Sequence, residues 1–419
     1  MKLPAYADYS PSDTDWFGDL PKHWDSKRLK YTCRRADQKV EADEETPLPY
    51  VGLEHIESWT GRLRPLDSGL VPNGISSRFR AGDTLFGKLR PYLAKACNVD
   101  FDGLCSSELL VLRTTGYNRR FLLYMLLTNG FIAIVDQSTY GAKMPRANWD
   151  YIGSCALPVP PTDEQLSIAD FLDRETAKID NLLGKKRQLI ERLREKRSAL
   201  ITQAVTRGLP LDAARTAGLV PNPKLRPPGI QWLGDTPEHW SVMQLKRAVT
   251  FQRGHDLPTD ERQEGEIPVV SSAGVSSKHN RAAAKGPGIV TGRYGTIGQF
   301  YLVNDDYWPL NTTLYSIDLH GNEPRFLRYM LEKLSPLFLL NAVKSAVPGI
   351  DRNDVHPIQT AIPPLPEQVA IADYLDRETV YIDGMIGTVE TAIERLEEYR
   401  AALITAAVTG KIDVRGSVT

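Results

Sequence analysis

The residues with the clearest chemical potential are basic side chains gathered in one stretch of the first half of the chain. Between residues 61 and 96 there are seven lysines and arginines against two acidic residues, Asp67 and Asp83, with aromatic side chains interleaved. Such a stretch is typical of a surface that contacts nucleic-acid phosphates. Ordinary exposed basic residues on a sheet are the alternative. The candidate contacts in this stretch are Arg78, Arg80, Lys88, Arg90 and Lys95.

A second basic stretch surrounds the glycine-rich sequence GRYGTIG in the other half of the chain. Glycines there allow the backbone to approach a phosphate or a groove closely, although tight hairpin turns would explain them equally well. The candidates in this stretch are Lys278, Arg281, Arg293 and Tyr294.

Motifs for catalysis are weak or missing. GDTLFGKL (residues 82–89) nearly matches a phosphate-binding loop, but Leu89 replaces the hydroxyl that binds magnesium, and Pro91 follows where a helix should begin. GxSxG and HExxH are not found. His23 and His239 each precede a tryptophan, and we interpret them as structural. We therefore expect no catalytic site in this chain.

Composition places few further constraints on function. The four cysteines lack CxxC spacing, which predicts free buried thiols and no metal site. The 419 residues carry a net charge of -1, so a nucleic-acid surface would be a local patch. The sequence lacks an apolar run long enough to cross a membrane, and we expect a cytoplasmic protein without a cofactor.

The elements that would position these residues are organised by two internal repeats. DWFGDLPKHWDSKRLK (residues 15–30) returns as QWLGDTPEHWSVMQLK (residues 231–246). EQLSIADFLDRETAKID (residues 164–180) returns as EQVAIADYLDRETVYID (residues 367–383). The two copies of the first motif are 216 residues apart, and the two copies of the second motif are 203 residues apart. The segment between the two motifs is therefore 13 residues shorter in the second half of the chain. Two units keep a common frame around different contents, which suits modules that act on different targets.

The second repeat opens an amphipathic helix in each half. Apolar residues recur at spacings of three, four and seven from Glu164 to about Arg207, close to a heptad pattern. Thr162 and Gln165 fit a capping box, and Gly208 and Gly410 are predicted stops. Each helix would span about 44 residues, or about 65 Å. We predict that the two similar stripes pair with each other, and that the basic run of residues 185–197 lies beside the acidic first half of the second helix if the pair is antiparallel.

These patterns predict an α+β protein with an internal pseudo-two-fold repeat: two recognition domains of mixed sheet and helix, separated by two long helices. The predicted boundaries are residues 1–157 and 230–361 for the two domains, 158–208 and 362–419 for the helical regions, and 209–229 for a proline-rich connector.

The frame resembles a known family. The motif WxGxxPxHW followed by LK, and PPxxEQxxIAxxLDxET with its continuation to ALIT and AVT, are similar to the specificity subunit of type I DNA restriction-modification systems. The resemblance implies two target-recognition domains that each read one half of a bipartite double-stranded DNA target. It implies an antiparallel coiled coil that sets the gap, and docking of two methyltransferase subunits and of motor-nuclease subunits. S-adenosylmethionine would be held by the methyltransferase subunits.

The resemblance also points to particular residues. The stretch that contains Lys88 and Arg90 resembles the family's sheet segment near DNA. Lys143 and Arg146, in GAKMPR, and Arg352, in GIDR, are further implied contacts. Two other hypotheses stay open at this stage: a coiled-coil scaffold whose two domains bind non-DNA ligands, and an enzyme that acts on nucleic acid alone.

Overall fold

The computed structural model describes residues 4–12, 14–42, 48–66, 74–230, 232–342 and 349–417. Asp67 and Gln231, which the sequence analysis named, lie outside these ranges. The chain divides into two compact units, Met1–Lys186 with Thr391–Thr419, and Arg187–Glu390. Two long helices each contribute one part to each unit, and the units are described separately below.

The first unit begins with short strands and ends in the long helix. Its strands are β1 (Tyr9–Ser10), β2 (Leu20–Pro21), β3 (Asp25–Arg28), β4 (Cys33–Ala36), β5 (Lys39–Ala42), β6 (Tyr50–Val51), β7 (Gly74–Phe79), β8 (Thr84–Gly87), β9 (Ala96–Asn98), β10 (Gly103–Ser106), β11 (Leu109–Thr114) and β12 (Ala156–Val159). Its helices are α1 (Leu29–Thr32), α2 (Arg119–Leu126), α3 (Asn129–Gln137), α4 (Trp149–Ser154) and the first part of α5 (Thr162–Arg207).

The second unit repeats this arrangement. It contains the last part of α5, then the helices α6 (Leu211–Thr216), α7 (Pro324–Ala342), α8 (Arg352–Val355) and the first part of α9 (Leu365–Val408). Its strands are β13 (Leu225–Arg226), β14 (Thr236–Pro237), β15 (Ser241–Gln244), β16 (Thr250–Arg253), β17 (Ile267–Ser271), β18 (Gly274–His279), β19 (Gly288–Gly292), β20 (Phe300–Val303), β21 (Trp308–Pro309), β22 (Thr313–Asp318) and β23 (Gln359–Ile362).

Each unit is built on one four-stranded antiparallel sheet, with the same strand order in both. The order is β4-β11-β8-β9 in the first unit and β16-β22-β19-β20 in the second. Strands β8 and β19 are buried along their whole length because helices cover the sheet. The second sheet differs between the units, β5-β7-β10-β6 against β18-β17-β21. The difference in sheet organisation therefore lies inside the frame, in the part whose sequence diverges.

The GDTLFGKL segment forms the buried strand β8 rather than a phosphate-binding loop. Thr84–Gly87 pairs with β11 on one side and β9 on the other, and a short 3-10 turn at Pro91–Leu93 follows. A phosphate-binding loop would open a long helix at this point. The structure agrees with the sequence analysis that this segment is not a nucleotide site.

The two long helices pair in antiparallel orientation within each unit. In the first unit, Ile168 and Leu172 share a core with Ile404 and Val408. In the second, Ile201 and Val205 share a core with Ile371 and Leu375. This confirms the predicted pairing of the two apolar stripes.

Matching ion pairs accompany the helix pairing. Arg400 Nε lies 2.9 Å from an Asp180 oxygen in the first unit, and Arg197 Nε lies 3.1 Å from an Asp383 oxygen in the second. Arg194 also lies 3.6 Å from Glu390. Two arginines of the predicted basic run therefore meet acidic residues of α9, as the charge pattern indicated.

The helix lengths are confirmed, but the predicted capping box is wrong. Helix α5 has 46 residues and α9 has 44, and Gly208 and Gly410 adopt left-handed backbone conformations after them. Thr162 is already the first helical residue, so it is not placed to cap the helix. Gln165 instead donates from its amide to the Pro160 carbonyl, 2.9 Å away. Its other contact, to a backbone N–H, is described with the site below.

The proline-rich segment after α5 is more than a connector. Leu209 and Ala214 are buried in the core of the second unit, and residues 211–216 form α6. The prediction of a proline-rich connector for residues 209–229 did not include these two buried positions. Its apolar residues explain the correction, since burying them removes apolar surface from water.

We predict that the thiols of the folded chain are unreactive. Cys33, Cys97, Cys105 and Cys155 are free and buried, and burial raises the pKa of Cys33, Cys97 and Cys105 to about 12 and that of Cys155 to about 11. Because the thiolate is the nucleophile, a disulfide reagent at pH 8 should modify them slowly until denaturant is added. The rate at which the reagent releases its own thiol, measured with and without guanidinium, reports how fast the cysteines are modified. Rapid modification of four thiols in the folded chain would contradict the prediction.

Candidate nucleic-acid interface

A buried carboxylate at the start of each long helix holds the first repeat in place. Glu164, whose side chain is 3% exposed, lies 2.8 Å from His23 Nε2 and accepts a hydrogen bond of 3.0 Å from Trp24 Nε1. Glu367 makes the same contacts with His239 and Trp240, at 2.8 and 3.1 Å. The first unit adds a third donor, the Tyr6 hydroxyl, at 2.5 Å. Both histidines thus have the structural role that the sequence predicted.

A second polar junction joins each long helix to the helix that covers the sheet. Arg120 of α2 forms ion pairs of 2.7 and 2.6 Å with Asp170 and Asp173, and the Tyr124 hydroxyl donates to Asp173 at 2.7 Å. In the second unit, Arg325 pairs with Asp373 and Asp376 at 2.8 and 2.9 Å, and Tyr329 donates to Asp376 at 2.7 Å.

A third junction uses the glutamine that follows the buried glutamate. The Gln165 carbonyl oxygen accepts from the Asn118 backbone N–H at 2.7 Å, and Gln368 accepts from Glu323 at 2.9 Å. The first glutamate, the glutamine and the aspartate of EQxxIAxxLDxET therefore contact the region that precedes each long helix, whereas Glu175 pairs with Lys178 of its own helix. The motif was predicted to be helical, but its attachment to the preceding region was not predicted, although the repeated Glu, Gln and Asp of a mostly exposed helix were a usable signal. The junctions hold each recognition region rigidly on the helix pair.

In the first unit, four of the predicted site residues meet where β8 ends. The Arg90 backbone N–H donates to the Pro145 carbonyl at 2.7 Å, and the Arg90 guanidinium lies 3.5 Å from the Lys143 carbonyl. Residues 88–90 and 143–146 thus form one surface, which we call the first strand-end cluster. Arg146 is neutralised by Glu108 at 3.0 Å. Lys88, Arg90 and Lys143 form no ion pair with other described residues; Arg90 and Lys143 are exposed, and Lys88 is half-buried.

Exposed aromatic side chains complete the first strand-end cluster. Tyr140 is 64% exposed and pairs through its backbone with Arg146, and Tyr92 is 46% exposed two residues after Arg90. Basic and aromatic groups together can contact both the phosphates and the bases of a nucleic acid. Tyr92 is one of the aromatic residues interleaved in the basic stretch of residues 61–96, whereas Tyr140 could not be found from the sequence because its loop approaches β8 only in the fold.

The second strand-end cluster contains Arg293, Tyr294 and Arg352. Arg293 follows β19, and its guanidinium lies over the Tyr294 ring, 5.3 Å from the ring centre. The same guanidinium donates to the Ile350 carbonyl at 3.2 Å and lies 3.8 Å from Asp351, the residue before Arg352. Arg293 is mostly buried by these contacts, whereas Tyr294 is 43% exposed and Arg352 is exposed.

The two strand-end clusters occupy the same place in their units. The N–H of Ala147 donates to the carbonyl of Lys88 at 2.9 Å, and the N–H of Ile350 donates to the carbonyl of Arg293 at 3.1 Å. Ala147 and Ile350 are 203 residues apart, the same offset as the long helices. Each unit therefore presents a basic residue at the end of its central buried strand, against the loop that precedes the last short helix.

The remaining predicted residues lie apart from the strand-end clusters. Arg78 lies on β7 of the other sheet, and Arg80 follows that strand. Lys95 donates to the Leu53 carbonyl at 2.5 Å, and burial, followed by the charge of Arg64, lowers the pKa of its ammonium group. In the second unit, Lys278 of β18 pairs with Glu266, and Arg281 follows that strand as an exposed residue.

Two searches of the described residues concern other kinds of site. Within the ranges given above, the His, Cys, Asp and Glu side chains form no group of three or more that could hold a metal ion. None of the helices in those ranges is both long enough and apolar enough to cross a membrane.

Comparisons with known proteins agree with this architecture. Residues 237–395 match the family model of the type I restriction modification DNA specificity domain. The chain is 24% identical over 193 residues to the specificity subunit of the type I restriction enzyme EcoDI of Escherichia coli, which covers 44% of this chain and 42% of that protein. It is 22% identical over 327 residues to the EcoBI specificity subunit of the same organism, covering 71% and 66%. The chain thus spans less than two thirds of either curated relative.

A solved structure shows the same fold. The structure comes from work on the complex assembly and conformational transition of the type I R-M system. One of its chains superposes on this chain with a TM-score of 0.66 at 19% sequence identity, and the match covers 93% of this chain and 98% of that chain. Two α+β regions that each pack on an antiparallel pair of long helices are thus a known class of fold. Residues 237–395 match the type I restriction modification DNA specificity domain, and the chain is similar to the specificity subunits of type I restriction enzymes.

Proposed function

We propose that this chain selects the DNA sites of a type I restriction-modification complex by reading a bipartite target, with one recognition region for each half-site. The observation that carries the proposal is the pair of strand-end clusters. Matching backbone contacts present Lys88 in one unit and Arg293 in the other, while the surrounding side chains differ. A common scaffold with different contact residues is what two unlike half-sites require.

The proposal assigns DNA contact to the candidates as a set. Residues 1–157 and 230–361 would be the two target-recognition domains, residues 158–208 and 362–419 the helical regions, and residues 209–229 the connector. Residues of the strand-end clusters would lie nearest to the duplex. Of the candidates outside them, Arg78, Arg80, Lys278 and Arg281 would contact flanking phosphates, and Lys95, which donates to the Leu53 carbonyl, would support this surface from behind.

The chemistry would belong to partner subunits. We infer that the long helices dock two methyltransferase subunits, which would hold S-adenosylmethionine, and that motor-nuclease subunits complete the complex. The names of the curated relatives, specificity subunits of restriction enzymes, support this division of labour. This chain would have no catalytic residue of its own. Because its proposed target is genomic DNA, the proposal places it in the cytoplasm.

Selection from a random duplex DNA library tests the function. The full-length chain, bound to its methyltransferase partner, should enrich two short half-sites around a gap of fixed length and free sequence. Log K should fall steeply with log salt because phosphate contacts release counterions. Enrichment without two half-sites, or binding that is insensitive to salt, would instead favour a scaffold for non-DNA ligands.

A double substitution in the first strand-end cluster should weaken binding to all sequences. K88A/R90A removes two unpaired positive charges, so the slope of log K against log salt should decrease by about 2, or about 1 for each lost phosphate contact. Lys27→Ala is the matched control, because Lys27 is an exposed lysine of β3 in the same unit, 3.6 Å from Asp25. Equal slopes for the double variant and the control would contradict the assignment.

A further inference from the structure

A polar cleft of about 650 Å³ lies beside the second strand-end cluster. It is formed where β16 ends and α8 begins, and we call it the β16–α8 cleft. Its walls carry arginine, amide, imidazole and carboxylate side chains. The lining residues are Gln252, Arg253, Gly254, His255, Asp256, Asp351, Arg352 and Asn353.

Three of the polar lining residues are engaged within the protein. The Asp256 carboxylate accepts a hydrogen bond from Asn311. Asp351 accepts from the Asn353 backbone N–H at 3.2 Å. His255 Nε2 lies 3.1 Å from the Tyr315 hydroxyl. These contacts fix the walls of the cleft.

The other four polar side chains have no such engagement. Within the part of the chain that the structure describes, the side chains of Gln252, Arg253, Arg352 and Asn353 make no hydrogen bond or ion pair. Arg253, Arg352 and Asn353 are exposed, and Gln252 is half-buried. Two guanidinium groups and two carboxamides thus line one cleft with their donors and acceptors unused.

This set of groups matches the edges of base pairs. A guanidinium donates two hydrogen bonds to guanine O6 and N7, and a carboxamide exchanges two with adenine N6 and N7 in the major groove. A phosphate would be a poorer ligand here, because the carboxylates of Asp256 and Asp351 line the same cleft and would repel it. The mixture of groups therefore favours base edges over the DNA backbone.

The corresponding residues of the first unit are different. In the first unit Ala36 pairs with Val111, and in the second unit Gln252 pairs with Tyr315 at the same place in the sheet. Ala36 is therefore the counterpart of Gln252, and the next residue, Asp37, is the counterpart of Arg253. Asn148 caps the last short helix of its unit as Asp351 caps α8, which makes Trp149 and Asp150 the counterparts of Arg352 and Asn353. Matched backbone positions with different side chains are what two unlike half-sites require.

We propose that the β16–α8 cleft reads base edges of one DNA half-site, with Arg253 and Arg352 contacting guanine and Gln252 and Asn353 contacting adenine. The proposal rests on the function proposed above, since it names the residues that choose the bases. It concerns only the half-site read by the second unit.

The test uses substitutions that separate base contact from phosphate contact. Arg352→Lys and Arg253→Lys keep the positive charge but lose the two-pronged donor geometry of a guanidinium. In selection from a random duplex library by the full-length chain with its methyltransferase partner, each should reduce the guanine preference at one base pair by about tenfold or more. The salt slope and the other half-site should not change. Asn353→Ala should relax adenine preference at one position of the same half-site.

Arg215→Ala is the matched control, since Arg215 is an exposed arginine of α6 in the same unit, outside the cleft. A wild-type bipartite motif that all three cleft variants leave unchanged would overturn the proposal while the proposed function stands. The proposal would also be overturned if the variants lost affinity equally for all sequences and the slope of log K against log salt became smaller, which is the result expected for phosphate contacts. A wild-type chain that selects no bipartite motif would overturn the proposed function itself. Equal melting temperatures of the variants and wild type show that folding is not the cause.

Discussion

Replacing Glu164 with alanine lowers the free energy of unfolding of the first unit by about 3–5 kcal/mol, as expected when one partner of a buried charged network is removed. The Glu164 carboxylate accepts hydrogen bonds from the Tyr6 hydroxyl and Trp24 Nε1, and His23 Nε2 lies 2.8 Å from it. Alanine would leave the buried Tyr6 hydroxyl and the buried Trp24 indole N–H without an acceptor, and each unsatisfied buried donor costs about 1–3 kcal/mol. Urea unfolding followed by tryptophan fluorescence measures the loss.

Two control variants sharpen this result. Glu367→Ala removes the corresponding carboxylate of the second unit, which meets only His239 and Trp240 among these donors, so its loss should be smaller. Glu195→Ala removes an exposed carboxylate of α5 and should change stability by less than about 0.5 kcal/mol. If Glu164→Ala lowered the free energy of unfolding no more than Glu195→Ala, the buried carboxylate would not hold the recognition region on the helix.

Exchanging residues 30–157 for the corresponding module of a type I specificity subunit should change one half-site of the proposed DNA target and leave the other half-site intact. The exchange removes every proposed DNA contact of the first unit, and each base contact is worth about 1–3 kcal/mol. The other unit keeps its own contacts, because each recognition region packs on the helix pair through junctions within its own unit. Methylation mapping in cells that carry the chimaera with its methyltransferase measures the outcome.

The incoming module must restore the polar junction to α5. Arg120 and Tyr124 lie inside the exchanged segment and contact Asp170 and Asp173 of the helix, so a donor module needs an arginine and a tyrosine at these places. The reciprocal exchange of residues 247–361 is the matched control, and it should change the other half-site. Methylation motifs altered in both halves by either exchange would contradict the independence of the two regions.

The junctions give a physical reason for the repeated frame. A recognition region can place base contacts reproducibly only if its supporting shell holds it to within a fraction of an ångström. The buried carboxylate, the aspartate pair and the glutamine contact supply that support in both units. The residues between them carry no such constraint, which explains why the frame repeats while its contents diverge.

Several features of the fold could be predicted from local pattern alone. The heptad spacing of apolar residues gave the two long helices and their pairing, because a continuous stripe must be buried against something. The α+β class followed from short β-rich runs before a late helix. The matching of Arg194 and Arg197 with acidic residues of α9 followed from the contrast of charge between the two helices.

Other features depended on contacts between residues far apart in the chain. The capping box at Thr162 failed because the helix begins at Thr162 itself, and the tertiary contact of Gln165 with Asn118 replaced the local one. The basic stretch of residues 61–96 was one patch in the sequence, yet the fold divides it: Arg62 pairs with Asp180 of α5, Lys95 turns inward to a carbonyl, and Lys88 and Arg90 join the first strand-end cluster.

The repeat, the long helices, the α+β class and the resemblance to type I specificity subunits followed from the sequence alone, because these depend on periodicity and on motifs that are continuous along the chain. Which basic residues share a surface depends on the tertiary structure. Lys143 meets Arg90 across 53 residues, and Arg253 meets Arg352 in one cleft across 99. Such meetings are set by strand order and loop closure, which no short window of sequence contains.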